Sequence, residues 1–193
     1  EEVEVPVFDF LTGRRAKDSI VMRLHPDEPL IIEGIHALNP MLLNDDIDRD
    51  KLFRVYVSAL TTLNIDDHNR IHTTDARLLR RLVRDYETRG ASMEHTLSMW
   101  PSVRRGEEKW IFPYQENADA LFNTTLVYEV SVLKKYVYPL LQEVPKESPC
   151  YAAARDITKV LNYFLDADGI EDEIPPTSIL REFIGGCTFY RKD

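Results

Sequence analysis

The sequence predicts an α/β fold in which a parallel sheet is flanked by helices. Two short runs of aliphatic and β-branched residues, 30–32 and 52–58, read as strands buried in such a sheet. Helical patterns accompany them, the clearest at residues 75–90, 126–142 and 151–165. Strands followed by helices of this length are typical of parallel α/β architecture.

The first segment of the chain predicts a β-hairpin. Residues 3–9 alternate apolar and polar side chains around a proline, which suits an edge strand, and Thr12-Gly13 supplies a turn. Phe8 and Phe10 lie two apart, so they would point to the same side of a strand. Such a pair either joins a core or stacks on a flat ring, and the residues alone leave both interpretations open.

Glu33 ends the first apolar run and is followed by Gly34. In open α/β sheets ligands bind beyond the carboxyl ends of the strands, so we expect this carboxylate to face a binding site. A carboxylate in that position commonly holds Mg²⁺, directly or through water, beside substrate phosphates. The alternative is a surface or helix-capping glutamate.

Residues 75–90 predict a helix with one apolar and one basic face, closed by Gly90 as C-cap after Thr74 or Asp75 as N-cap. The apolar face collects Leu78, Leu79, Leu82, Val83 and Tyr86. The basic face, here called the arginine row, consists of Arg77, Arg80, Arg81 and Arg84. No acid interrupts the row, and guanidinium groups match phosphate oxygens. The pattern therefore predicts a phosphate-handling helix, with a solvated face as the alternative.

The second half of the chain predicts further helices and one strand. A helix is expected to end near residue 99, before Pro101, and a strand to follow at residues 118–123. Residues 145–149 form the clearest linker. We therefore expect a core of residues 1–145 and a helical C-terminal extension of residues 146–193 that packs on it.

Composition narrows the function classes. A net charge of −9 and a pI near 5.1 argue against general binding to nucleic acid or anionic membranes. Two cysteines are too few for a disulfide framework and indicate reduced thiols in a cytoplasmic protein. No run approaches the roughly 20 apolar residues of a membrane span. A homo-oligomer is compatible with the sequence.

Three motifs, in this order and at these spacings, resemble the uridine kinase and phosphoribulokinase family of P-loop kinases. They are Pro6-Val-Phe-Asp-Phe-Leu-Thr-Gly-Arg-Arg, Ile31-Ile-Glu-Gly-Ile-His-Ala-Leu, and the helix from Asp75-Ala-Arg through Arg89-Gly90. Residues 100–123 and 178–186 resemble the bacterial uridine-kinase-like branch in particular. The resemblance implies a P-loop kinase fold with a helical lid.

The resemblance also implies ATP and Mg²⁺ as cofactors and a nucleoside, similar to uridine, as the acceptor. Glu33 would be the catalytic acid that works with magnesium. The arginine row would belong to the lid helix that closes over the ATP phosphates, with Arg80 and Arg84 as its catalytic members. Phe8, Phe10 and Arg15 would correspond to the family's nucleoside-contacting hairpin.

The sequence departs from the family pattern at two places. Phe8 replaces a tyrosine, and Gly13 lies near the position of a base-contacting histidine, which leaves the acceptor open. The Walker A pattern Gly-x-x-x-x-Gly-Lys-Ser/Thr does not occur among the 193 residues. We therefore expect the later part of a P-loop kinase domain, with the P-loop portion missing and little activity alone. No general base is assigned.

Two rival functions fit the same residues. The first is a non-catalytic module that uses the arginine row to bind nucleotide or RNA phosphates. The second is a sugar-phosphate kinase of the phosphoribulokinase type.

Overall fold

The computed structural model describes residues 2–9, 12–43, 47–61 and 63–189. The chain forms two compact units, Glu1–Ala37 and Leu38–Asp193. The strands are β1 (Glu2–Asp9), β2 (Arg14–Arg23), β3 (Val55–Ser58) and β4 (Ala120–Asn123). The helices are α1 (Thr73–Arg89), α2 (Met93–Trp110), α3 (Glu129–Gln142), α4 (Tyr151–Leu161) and α5 (Arg181–Ile184). The predicted α/β class is confirmed.

The first unit contains the predicted hairpin. β1 and β2 pair antiparallel, from Glu2 opposite Arg23 to Asp9 opposite Arg14. The turn is fixed by Asp9, whose carboxylate accepts a 2.7 Å hydrogen bond from the Thr12 hydroxyl and whose carbonyl accepts one from the Gly13 amide. Gly13 has φ +65°, a left-handed conformation that glycine adopts without steric cost.

The strand predicted at residues 30–32 is wrong. These residues are irregular, and Ile31 and Ile32 are 86% and 62% exposed. A parallel strand needs neighbours that accept and donate its backbone hydrogen bonds, and no described strand pairs with this segment. Apolar composition alone therefore did not make it a strand.

The second unit contains a parallel pair, in which β3 runs beside β4 with Val55 opposite Ala120 and Ser58 opposite Asn123. Both strands fall in segments where the sequence predicts them. β3 buries Tyr56 and exposes Val57, so it is buried on one face and not on both as predicted. A crossover that contains α1 and α2 connects the two strands, as a parallel pair requires.

The apolar face of α1 forms the centre of the second unit's core. Leu82 is fully buried, and Leu78, Leu79 and Val83 are buried beside it, whereas Tyr86 is 44% exposed. α1 ends at Gly90, whose φ of +62° confirms the predicted C-cap. The predicted N-cap is wrong, because the helix begins after His72, which caps it without a side-chain hydrogen bond.

α2 is longer than predicted, since it continues through Pro101 to Trp110. The hydroxyl of Ser92 starts the helix by accepting a 3.1 Å hydrogen bond from the His95 amide. An internal proline removes one helical hydrogen bond, but burial of Leu97 and Glu107 on either side of it supports the continued helix.

Residues on both sides of the predicted linker share one apolar core. Leu133 and Leu141 of α3 pack in the same cluster as Leu161 of α4 and Phe183 of α5. The predicted boundary at residue 145 stays a prediction. Among the described residues, no helix combines the length and the apolar character that a membrane crossing requires.

Candidate phosphate-binding site

The arginine row lines a cavity in the second unit. The cavity has a volume of about 190 Å³. Its walls come from α1, α2, the end of β3 and the C-terminal segment, through Ala59, Arg77, Arg80, Arg81, Arg84, Trp100, Val103, Glu107, Ile179, Glu182 and Phe183. Sites for drug-sized ligands occupy roughly 300 to 1,000 Å³, so this cavity suits an oxyanion group better than a whole nucleoside.

Arg80 is held on the inner wall by Glu129. The guanidinium donates to both Glu129 oxygens through Nε and Nη2. It also donates to the Thr124 hydroxyl at 3.0 Å and to the Thr124 carbonyl at 2.7 Å. Glu129 is only 1% exposed. A guanidinium has five N–H donors, and four of these are committed here, so Arg80 has little left to offer a ligand.

Arg77 is held by Glu107 of α2 in a similar way. Its Nε and Nη2 donate to one Glu107 oxygen at 2.9 and 2.6 Å. Arg104 donates to the other oxygen of this carboxylate at 2.9 Å. Glu107 is buried, with 3% exposure. Two arginines therefore share the Glu107 carboxylate, and Arg104 has a second partner in Glu108, whose Oε1 lies 3.3 Å from its Nη2.

Arg81 and Arg84 form looser contacts than the other two arginines. Asp85 lies 3.1 Å from Nε of Arg81 and 4.0 Å from Nε of Arg84, and it also accepts a 2.8 Å hydrogen bond from Arg89. Nη1 of Arg84 lies 3.5 Å from the Glu182 carboxylate. Both Nε atoms are buried without a hydrogen-bond partner among the described residues. Both side chains line the cavity, so an anion there would meet their guanidinium groups, although not the buried Nε atoms themselves.

The carboxylates around the arginine row are the residues that sequence reasoning missed. The four arginines come from one short stretch of α1, yet Glu107, Glu129 and Glu182 reach them from other elements. Asp85 is the exception, because it follows Arg84 directly and so could have been recognised. The predicted basic face thus exists, but its charges are partly neutralised by acids distant in sequence.

The remaining predicted site residues lie in the first unit. Phe8 and Arg15 face each other across the hairpin as register partners, so the structure brings these two together. Phe8 is half exposed. Glu33 lies in an irregular, exposed stretch before Gly34. Phe10 falls outside the described residues.

The described residues include no group of three or more His, Cys, Asp or Glu side chains placed to hold a metal ion. Mg²⁺ usually keeps several waters and binds through one or two carboxylates together with substrate phosphates. A single exposed carboxylate such as Glu33 fits that mode of binding. Near the arginine row, burial raises the pKa of Asp75, which the positive charge of His72 partly counteracts.

Comparison with known proteins places these features in a family. The profile of the Phosphoribulokinase / Uridine kinase family matches residues 1–131, which include the hairpin, Glu33 and the arginine row. The chain is 32% identical over 120 residues to a uridine kinase of Staphylococcus epidermidis, covering 62% of this chain and 49% of that protein.

Other relatives give the same result. A uridine kinase of Chlamydia pneumoniae is 32% identical over 122 residues, covering 63% of this chain and 47% of that protein. A uridine kinase of Staphylococcus aureus is 32% identical over 120 residues, with 62% and 49% covered. The chain thus spans about half the length of the curated relatives it matches. With the family profile covering more than half of the chain, the chain belongs to the phosphoribulokinase and uridine kinase family.

Proposed function

We propose that the protein containing this chain is an ATP-dependent kinase that transfers the γ-phosphoryl group to a hydroxyl of a nucleoside similar to uridine. The observation that carries the proposal is the arginine-lined cavity on α1, in a chain of this family. Phosphoryl transfer depends mainly on positioning and on stabilising negative charge that spreads over the phosphate oxygens. Fixed guanidinium groups beside a small cavity supply that stabilisation.

The four arginines have different roles in this proposal. Arg81 and Arg84 contact the ATP phosphates, because both line the cavity and are held by ion pairs alone among the described residues. Arg77 retains donors beyond those used by Glu107 and adds a further phosphate contact. Arg80 adds positive potential and fixes the cavity wall, since most of its donors are committed to Glu129 and Thr124.

Glu33 is the proposed magnesium ligand. Its support is its exposed carboxylate and its position in the family motif. Bound magnesium would neutralise charge on the phosphate oxygens during transfer. The residue's own contribution is to hold the ion through one carboxylate, a mode that Mg²⁺ accepts.

The hairpin is the proposed acceptor site. Phe8 offers a half-exposed ring on which a nucleobase can stack, and Arg15 lies opposite it in the register. Phe10 belongs to the same proposal from its sequence position. The relatives are named uridine kinases, which favours a nucleoside over a sugar phosphate as the acceptor.

The 193 residues contain no Walker A sequence. The backbone cradle and lysine that bind the β- and γ-phosphates in P-loop enzymes are therefore not supplied by this chain. We expect the chain alone to show little turnover, and a longer protein that includes a Walker A loop to be active.

The test uses such a longer protein, with ATP, Mg²⁺ and uridine, and measures kcat/KM. Arg84→Gln should lower it by about 10² to 10³, the usual cost of removing one transition-state donor. The matched control is Arg155→Gln, an exposed position on α4, which should leave turnover unchanged. Equal turnover in both variants would overturn the assignment of the arginine row. Ribulose 5-phosphate in place of uridine tests the sugar-phosphate alternative.

A further inference from the structure

The C-terminal segment, residues 178–186, forms one wall of the arginine cavity. Ile179, Glu182 and Phe183 line it. These residues lie beyond the 1–131 range that the family profile matches, although the same stretch resembles the bacterial uridine-kinase-like branch. Neither the profile nor that resemblance assigns a role to Glu182.

Glu182 lies where an anion would bind the arginine row. Its Oε1 is 3.5 Å from Nη1 of Arg84, and the two side chains are 38% and 34% exposed. Both side chains line the cavity. At 3.5 Å the Glu182 carboxylate partly neutralises Arg84 but engages its Nη1 donors only weakly. A phosphoryl group with three oxygens would use these donors better.

The backbone that carries Glu182 is firmly anchored. Phe183 and Leu180 are buried in the core, and the Phe183 ring lies 5.7 Å from the guanidinium carbon of Arg80. Arg181 donates 2.6 Å hydrogen bonds to the carbonyls of Glu171 and Ile174. Because its neighbours on both sides are fixed, Glu182 can leave Arg84 by a change of rotamer while the segment stays in place.

We propose that Glu182 is an internal competitor for Arg84 that sets the affinity of the cavity for phosphate. A ligand must displace its carboxylate, and the displacement favours polyphosphates over anions of low charge, because a larger negative charge gains more from Arg84 and Arg81. The inference rests on the proposed function and gives a role in the same site to a residue beyond the range that the family profile matches.

The expected effect is modest. Ion pairs with this much exposure contribute little, because water and salt screen them. Replacing Glu182 with glutamine keeps the shape of the wall and removes its charge. Affinity for inorganic tripolyphosphate should therefore rise by about two- to five-fold, the range that measured surface pairs imply.

The experiment measures tripolyphosphate binding to the 193-residue chain by isothermal titration calorimetry at low salt. It compares the unsubstituted chain with Glu182→Gln and with Glu147→Gln, an exposed position in the loop before α4 that makes no ion pair among the described residues. Both substitutions remove one negative charge. Only Glu182→Gln should tighten binding, and the gain should disappear when Arg84→Gln is added.

The outcomes separate this inference from the proposed function. If Arg84→Gln weakens binding but Glu182→Gln equals Glu147→Gln, the competitor role is wrong and the phosphate site stands. If Arg84→Gln has no effect, or if none of the proteins binds tripolyphosphate, the phosphate site itself is wrong and the competitor role with it. If Glu182→Gln still tightened tripolyphosphate binding in a variant that lacks Arg84, the gain would come from weaker general repulsion between the protein and the ligand. That result would also overturn the inference.

Discussion

The two ends of the arginine row are held in different ways. Arg77 and Arg80 are bound by Glu107 and Glu129, both almost completely buried. Arg84, at the other end, is paired with the partly exposed Glu182, and its Nε lies 4.0 Å from the Asp85 carboxylate. The same residue type, on one helix face, thus pairs with a buried carboxylate at one end and with a partly exposed one at the other, although the Arg77 and Arg84 side chains are themselves about equally exposed, at 33% and 34%.

Because of this difference, some arginines of α1 should contribute mainly to stability and others mainly to ligand binding. A buried carboxylate needs its arginine, because an unpaired charge away from water is very costly. A half-exposed pair can be broken with little loss, since water replaces the partner. We therefore expect substitutions to affect folding most at Arg80 and ligand binding most at Arg84.

The largest effect is expected for Arg80→Gln. It leaves Glu129 buried without its cation, and breaking such a pair usually costs about 3 to 5 kcal/mol. Urea unfolding followed by circular dichroism measures the loss. The double variant Arg80→Gln/Glu129→Gln should recover part of it, because the uncompensated charge is removed. A loss below about 1 kcal/mol for Arg80→Gln would remove the contrast between the two ends of the row.

A smaller effect on stability is expected for Arg84→Gln. Its ion pair with Glu182 is half exposed, so the free energy of unfolding should fall by no more than about 1 kcal/mol. The same urea titration measures it beside Arg80→Gln. A loss as large as that of Arg80→Gln would show that Arg84 is a framework residue too.

The smallest effect concerns Asp75, a partly buried carboxylate of α1 to which no arginine among the described residues is bound. Burial raises its pKa above the ordinary value of 3.8, so the folded state favours the protonated form. The contribution of Asp75 to stability is therefore greatest below pH 3.8 and falls as the pH rises through the raised pKa. The Asp75→Asn substitution should remove this loss of stability with rising pH.

The measurement is the difference in unfolding free energy between Asp75→Asn and the unsubstituted chain, across the same pH range. As the pH rises, the Asp75→Asn variant should become more stable relative to the unsubstituted chain, by at most about 1 kcal/mol. A shift in favour of aspartate would mean that attraction to His72 and the helix N-terminus outweighs burial.

The sequence predicted the parts of the fold that depend on near neighbours. The hairpin turn at Thr12 and Gly13, the buried face around Leu82 and the C-cap at Gly90 all follow from residues within a few positions of each other. Residues 30–32 show the limit of such reasoning. Their composition suits a buried strand, but only a neighbouring strand would have made them one.

The candidate site was predictable only in part. The sequence placed four arginines on one face of a helix, and the structure gathers them around one cavity. Nothing in the sequence indicated that Glu129 would immobilise Arg80, since the two residues are 49 positions apart. The contact of the C-terminal segment with the arginine row was not predicted either, because a four-residue helix such as α5 has too few turns to show a periodic pattern.

The sequence by itself determined which side of α1 is apolar and which side is cationic, because helical periodicity turns spacing into direction. Only the tertiary structure decided which cations remain accessible. The reason is that the burial and pairing of a charge depend on whatever the rest of the chain brings beside it, and Glu107, Glu129 and Glu182 reach α1 from three separate elements.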